Sequence, residues 1–391
     1  MGVYLDYQAT SPMPESVLEV YVSALAGVGN PSSIHQAGQR QRALVEEARE
    51  RIARVVGCEP IEIVFTSGGT EAINTALKGA VWAAQRLRGR DTPTTLVSTR
   101  AEHHATLDAL EWLDEHEGTE IAWVPVDSEG VMDLDSLEVI VHDHPATLVT
   151  TLLANNEVGS LQPVAEIARI SAEAGVPVHV DAVAALGYVP LSFSDLQVAA
   201  MSISAHKVGG PVGVGALVLS RHAPEFTALV HGGDQQRVRA GTLDAPGALA
   251  FAEAVELRER LRLDSVSVLQ QRRDDLLGHL TSAVPDIVVR GSLDARLPGN
   301  LHITVPGCEG DVLLYLLDQE GIQVSTGSAC QAGIPEPSHV VLAMGLDEAT
   351  ARGALRFSVG YHTSADDIAT VASIFPQVVE RARGAGMAAG H

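Results

Sequence analysis

The stretch 202–215, SISAHKVGGPVGVG, carries Lys207, and the 391-residue chain has one other lysine, Lys78. The remaining 24 of its 26 basic residues are arginines. Arginine replaces lysine as a surface charge, but its guanidinium stays protonated and cannot condense with an aldehyde. A lysine kept between His206 and a glycine-rich turn therefore points to amine chemistry; a lysine left by chance in a surface turn is the plain alternative. Cysteine occurs three times, as Cys58, Cys308 and Cys330, widely spaced and without a CxxC pair. That pattern is neither a disulfide framework nor a zinc site, fits a reducing cytoplasm, and leaves room for one reactive thiol.

These residues need a frame, and the apolar spacing supplies one. Leu44, Ala48, Ile52 and Val55 recur at helical spacing, so 33–57 reads as a helix ending on Gly57. IEIVF at 61–65 reads as a strand that enters TSGGTE, and Ile73, Ala76, Leu77 and Ala80 mark the helix behind it. TTLVSTR, EIAWVPV, TLVTTLLAN, VPVHVDA, VAAMSIS and GALVLS continue as strands with helices between several of them, one of which begins with Pro163 at its first position. Repeated βα units with short loops predict an α/β fold whose central sheet is mostly parallel and flanked by helices. Near Glu253 the pattern changes to a long charged helix reaching about Leu280. Shorter elements follow, and a last helix starts near Ser364 with Asp367 in a capping box. The expected division is a large α/β domain over 15–255 and a smaller α+β domain formed by 1–14 and 256–391, which carries Cys330.

In open parallel sheets, ligands bind beyond the carboxyl ends of the strands. At those ends stand the SGGTE turn with Gly69 and Thr70, His103 in AEHH, Asn156, Asp181, and Ser204 with His206 and Lys207. Each has a structural alternative: a tight turn, a satisfied polar histidine, an Asx turn, a helix cap. Together they form a consistent set. A lysine can hold an aldehyde cofactor as a Schiff base, a buried carboxylate can keep a pyridine nitrogen protonated, and a helix N-terminus can bind a phosphate. That set describes a site for pyridoxal 5'-phosphate.

Composition bounds the rest. The formal charge of −23 argues against binding a nucleic-acid backbone and leaves room for protein partners. The N-terminus, MGVYLDYQAT, lacks the basic and apolar regions of a signal peptide, and no apolar run reaches membrane-spanning length. A soluble cytoplasmic protein is the expectation.

The motifs YLDYQAT, GNPSSIHQAG, IVFTSGGTEAINTALKG, EHHATLDAL, NNEVG, HVDAVAALG, SISAHKVGGPVGVGAL, RVRAGT, STGSAC and LRFSVG occur in the order found in cysteine desulfurases. The chain resembles that family from Tyr4 to about Thr363. The resemblance implies the aspartate aminotransferase-like fold and pyridoxal phosphate as cofactor. It implies that Lys207 carries the cofactor and moves the substrate Cα proton, that Asp181 pairs with the pyridine nitrogen, and that His103 stacks on the ring as an acid/base group. Gly69, Thr70, Ser204 and His206 would hold the phosphate. Thr242, in RVRAGT, would reach the phosphate of a neighbouring subunit in a homodimer. Asn156 and Arg356 would orient the substrate, Arg356 through its carboxylate.

STGSAC followed by QAGIPEPS resembles the catalytic loop of the class with an SSGSAC-like motif. Cys330 would therefore take sulfur from L-cysteine, leaving alanine and a persulfide for an acceptor protein of iron–sulfur assembly or a thiolation pathway. Cys58 and Cys308 read as structural. Two positions depart from the pattern. Ala184 stands where the family has a glutamine, and HGGDQQ replaces a longer HGGGQE-type start. A selenocysteine lyase, another enzyme of the same fold, and a weakly active sulfur-transfer scaffold are the alternative readings.

Overall fold

The computed structural model describes residues 2–89, 92–233, 235–327 and 336–389. Cys330 lies outside the described residues. The strands are β1 (Val3–Tyr4), β2 (Ile63–Thr66), β3 (Thr94–Thr99), β4 (Thr119–Val124), β5 (Leu148–Leu152), β6 (Val178–Asp181), β7 (Ala200–Ser204), β8 (Gly215–Leu219), β9 (Val288–Arg290), β10 (Asn300–Thr304), β11 (Ile322–Gln323) and β12 (Ala354–Ser358). The helices are α1 (Glu15–Leu25), α2 (Gln36–Val56), α3 (Gly69–Arg88), α4 (His104–Glu117), α5 (Leu134–Asp143), α6 (Val164–Glu173), α7 (Phe193–Leu196), α8 (Ala245–Ala283), α9 (Gly310–Gln319), α10 (His339–Ala343), α11 (Glu348–Arg352) and α12 (Ala365–Ala389).

Seven strands form the central sheet in the order β2-β8-β7-β6-β5-β3-β4. The pairs from β7 to β4 are parallel, while β8 runs antiparallel to both β7 and β2. Every residue of β2, β3, β5, β6 and β7 is buried. Burial on both faces is what parallel strands between helices require, and it explains why these segments read as apolar runs rather than alternations. The mostly parallel sheet flanked by helices agrees with the sequence reading.

Local chemistry sets the element ends. Helix α2 buries Val45, Ala48, Ile52 and Val56, and ends at Gly57, whose φ of +69° is the left-handed conformation that glycine adopts without a Cβ clash. The strand expected at 61–65 begins later. Pro60–Glu62 forms a 3₁₀ turn stabilised by a capping box between Glu59 and Glu62, and Ile61 is 53% exposed. Pro163 is the N-cap of α6 rather than its first residue.

The boundary expected at 255/256 falls within α8, a single helix of 39 residues capped by Asp244. Early in α8, Glu253 and Glu256 pair with Arg51 of α2. Later, Leu269 lies against Gly299, and Arg272 donates to the Tyr361 carbonyl. The C-terminal part forms a three-stranded antiparallel sheet, β12-β10-β9, and the N-terminal strand β1 pairs in parallel with β11. On β10, His302 is fully buried, with neither ring nitrogen hydrogen-bonded among the described residues.

Candidate active site

The carboxyl ends of β2, β3, β5, β6 and β7 open onto a cavity of about 260 Å³. Gly69, Thr70, His103, Asn156, Asp181, Ser204, His206 and Lys207 line it, together with Ala184 and Val183. The eight polar or backbone groups expected at the strand ends therefore share one space. Thr242 is exposed and does not line it. Arg356 sits behind Asn156 rather than on the cavity wall.

The turn between β2 and α3 depends on close backbone approach. Gly68 has φ +153°, and a Cβ on Gly215 of β8 would lie 2.6 Å from the Gly68 Cα. Glycine at both positions lets the turn sit on the sheet, so the first N–H groups of α3 emerge beside the cavity. Glu71 in that first turn pairs with Arg239 at 2.8 Å, which ties the RVRAGT segment to the same helix end. Ser204 Oγ is buried and finds no hydrogen-bond partner among the described residues, and the same holds for Asn156 Oδ1. Unpaired buried polar atoms facing a cavity are costly unless a ligand satisfies them.

The charged groups perturb one another. Burial lowers the Lys207 amine to about 8, helped by Arg356 and opposed by Asp181 and Asp6. Its Nζ donates to the Gln8 carbonyl at 2.5 Å. Burial raises Asp181 to about 6, against the Val183 N–H and Lys207, which hold it down. Beneath it, burial and the Asp181 charge push Glu102 to about 8, although Leu152 N–H and Thr99 donate to its Oε1. Of the two buried carboxyls, Asp181 is thus the one ionised at neutral pH. Burial and Lys207 lower His103 to about 4. Its Nδ1 accepts the Ala105 N–H at 3.0 Å, so the ring caps α4, and among the described residues Nε2 is left for proton exchange.

A layer behind the lining residues comes from elsewhere in the chain. Arg356 donates from Nη1 to the Asn156 carbonyl at 2.6 Å and from Nη2 to Asp6 Oδ1 at 2.8 Å. Asn300 donates to Gln8 Oε1 at 2.7 Å and to the Glu157 carbonyl at 2.8 Å. Sequence reasoning did not assign Asp6, Gln8 or Glu102 to the site. YLDYQAT marked the first two only as a motif, and Glu102 reads locally as an ordinary acidic residue before a helix.

Comparison with known proteins agrees with this geometry. The class-V aminotransferase profile matches residues 3–371. The IscS-like cysteine desulfurase of Mycobacterium tuberculosis is 43% identical over 389 residues, covering 99% of this chain and 98% of the relative. A solved NifS-like protein superposes with a TM-score of 0.89 at 32% identity, over 97% of this chain and all of that one. SspA, solved in complex with cysteine, superposes at 0.77 with 28% identity, over 91% and 98% of the two chains. The chain belongs to the class-V aminotransferase family, and within it to the cysteine desulfurases.

Class-V aminotransferases depend on pyridoxal phosphate, and the residues here fit that group. A helix N-terminus with Thr70 and an unpaired Ser204 hydroxyl suit its phosphate, a buried ionised carboxylate suits its ring nitrogen, and a lysine of lowered basicity suits its aldehyde. Ala184 presents only a methyl group to the cavity, so that position offers no donor to the ring oxygen. Among the described residues no cluster suited to a metal ion occurs, and no helix is long and apolar enough to cross a membrane.

Proposed function

We propose that this protein moves the sulfur of L-cysteine onto Cys330 and then to an acceptor protein. The observation that carries this reading is the convergence of Lys207, Asp181, His103 and the unpaired Ser204 and Asn156 atoms on one cavity, in a chain so similar to cysteine desulfurases. Bound pyridoxal phosphate supplies an electron sink for the pair left when a substrate Cα–H bond breaks. Gly69, Thr70, Ser204 and His206 would hold its phosphate, with Thr242 reaching it from a second subunit of a homodimer. Asp181 would keep a proton at the ring nitrogen.

Lys207 would hold the group by its aldehyde and would take the substrate Cα proton; its lowered basicity suits both tasks at neutral pH. His103 exchanges protons through Nε2, the nitrogen not spent on the Ala105 N–H. Arg356 and Asn156 would orient the substrate, Arg356 through its carboxylate. Arg356 Nε is buried without a partner among the described residues, which leaves a donor for that purpose.

The Cys330 thiolate attacks the substrate sulfur. The carbon–sulfur bond breaks as the sulfur–sulfur bond forms, the bonding pair stays on carbon, and that carbon takes a proton. Cysteine and a thiol become alanine and a persulfide, with no outside oxidant or reductant. An acceptor thiol then removes the outer sulfur and restores Cys330.

The test is to incubate the purified holoprotein with L-cysteine and dithiothreitol and measure alanine and sulfide. Both should form in equal amounts, and Cys330→Ala should lose both. Alanine formation by Cys330→Ala at the wild-type rate would sink the thiol step, and a monomer by sedimentation would sink the shared phosphate site.

A further inference from the structure

The turn after β5 holds a residue that the chemistry above does not use. Asn155 fixes this turn: its Oδ1 accepts the N–H groups of Glu157 and Val158, and its Nδ2 donates to the Ala101 carbonyl. Asn156 then faces the cofactor cavity, while Glu157 is fully buried. Glu157 Oε2 accepts the Ser338 hydroxyl at 2.5 Å. His339 Nδ1 lies 3.7 Å from Oε1, which has no hydrogen-bond partner among the described residues. On the other side Gly327 packs against the same side chain so closely that a Cβ would lie 3.2 Å from Glu157 Cγ.

Gly327 and Ser338 lie on either side of the sequence that contains Cys330. Further fastenings join these flanks to residues around the cavity. Ser325 and Arg356 exchange both backbone hydrogen bonds, at 3.1 and 2.6 Å. His339 Nε2 donates to the Glu102 carbonyl at 2.8 Å, one residue before His103, and its ring lies 4.6 Å from that of His104. Ser338 Oγ also accepts the Val341 N–H, so the hydroxyl that meets Glu157 starts α10 as well. A buried polar side chain with one unpaired oxygen is costly, and this one sits where two flanks of the thiol segment meet residues at the cavity.

We infer that Glu157 is a positioning residue for sulfur transfer: through Ser338, His339 and Gly327 it sets where the Cys330 segment starts and ends relative to the cavity. The inference rests on the reading that Cys330 takes the sulfur. It predicts a division between binding and turnover, because Glu157 acts on the thiol side and Asn156, one residue earlier, on the cofactor side.

The experiment uses holoprotein of the wild type, Glu157→Ala, Glu157→Gln and Ser338→Ala. Cysteine binding is read from the change in cofactor absorbance, and turnover from alanine. For Glu157→Ala, binding should stay within about 2-fold, while alanine formation should fall about 10- to 100-fold, the scale on which small misplacements act. Glu157→Gln keeps an oxygen for Ser338 and should recover most of the loss. Ser338→Ala should fall about 10-fold and carries the test if Glu157→Ala does not fold.

Alanine formation within 2-fold of wild type in Ser338→Ala and Glu157→Ala overturns the inference, as does a loss of cysteine binding equal to the loss of turnover. Cys330→Ala separates the two claims. If it stays active, the thiol reading fails; if it is inactive while the Glu157 variants turn over normally, only the role of Glu157 fails.

Discussion

On the large-sheet side of Lys207, each group facing the cavity sits within a few residues of a strand end, as Asp181 does on β6 and Ser204 on β7. Behind that lining, Asp6, Gln8, Asn300 and Arg356 are joined by bonds that span 350 and 292 positions. The cavity lining is assembled by secondary structure, and the layer behind it only by closure of the whole chain. The difference assigns tasks. On the proposed reading, the sheet side would hold the cofactor in one place, whereas Arg356, held in the long-range layer, would meet the substrate, which enters and leaves.

Variants in the two groups should therefore fail in different ways. The largest effect is expected for Lys207→Ala: borohydride reduction of the pyridoxal phosphate-loaded protein should leave no cofactor attached, and alanine formation should drop to background. A trapped adduct in this variant would place the amine elsewhere. Next, Arg356→Ala should keep the cofactor absorbance of the wild type but raise the cysteine concentration for half-saturation about 10- to 100-fold, the loss of a charge-assisted contact. Cofactor loss in this variant would erase the distinction between the two groups.

Ser204→Ala should show the converse, with cofactor affinity down about 10-fold and half-saturation by cysteine little changed in the loaded enzyme. Unaltered cofactor affinity would mean that the unpaired hydroxyl does not meet the phosphate.

The smallest effect concerns stability, and each region contributes one histidine. His179, in the large sheet, and His302, in the small one, are both fully buried and pushed down to about 3. Burial is the cause for His179; for His302 it is joined by Arg356, Arg296 and Arg290. Both stay neutral when folded, while the unfolded chain takes up protons below about 6.5. Stability is thus present above that pH and lost as pH falls toward 3, by about 2 kcal/mol per histidine at pH 5. His179 bonds Thr150 and Ser202 at 2.9 and 2.8 Å, whereas the His302 ring bonds nothing among the described residues. His302→Leu should then reduce the acid sensitivity measured by denaturant unfolding without lowering stability at neutral pH. His179→Leu should cost about 1–3 kcal/mol for the stranded hydroxyls. Equal losses at neutral pH would contradict the contrast.

The same contrast governs what could be read from sequence. Strand runs, the SGGTE turn and the residues at strand ends were legible, because apolar spacing and turn chemistry are local signals. The ion pair of Asp6 with Arg356, and the Gln8 carbonyl under Lys207, were not, since nothing near residue 6 signals residue 356. Strand β1 is two residues long and carries no periodicity. Glu102 was missed because its importance lies in burial beside Asp181, which a sequence does not display. The unbroken α8 hid a change of surroundings behind a uniform helix.

The placement of the N-terminal segment has a consequence for how the protein is made. Leu5 donates its N–H to the Gln323 carbonyl and accepts from the Ser358 N–H, and Gln8 N–H donates to the Ser358 hydroxyl. On a ribosome the first eight residues emerge long before those partners exist. The large sheet can assemble meanwhile, but the carbonyl that receives the Lys207 amine waits for almost the entire chain. The two groups of residues therefore mature in sequence, the sheet side early and the long-range layer last. That layer can close only around a nearly finished polypeptide, so truncated products would carry half a site.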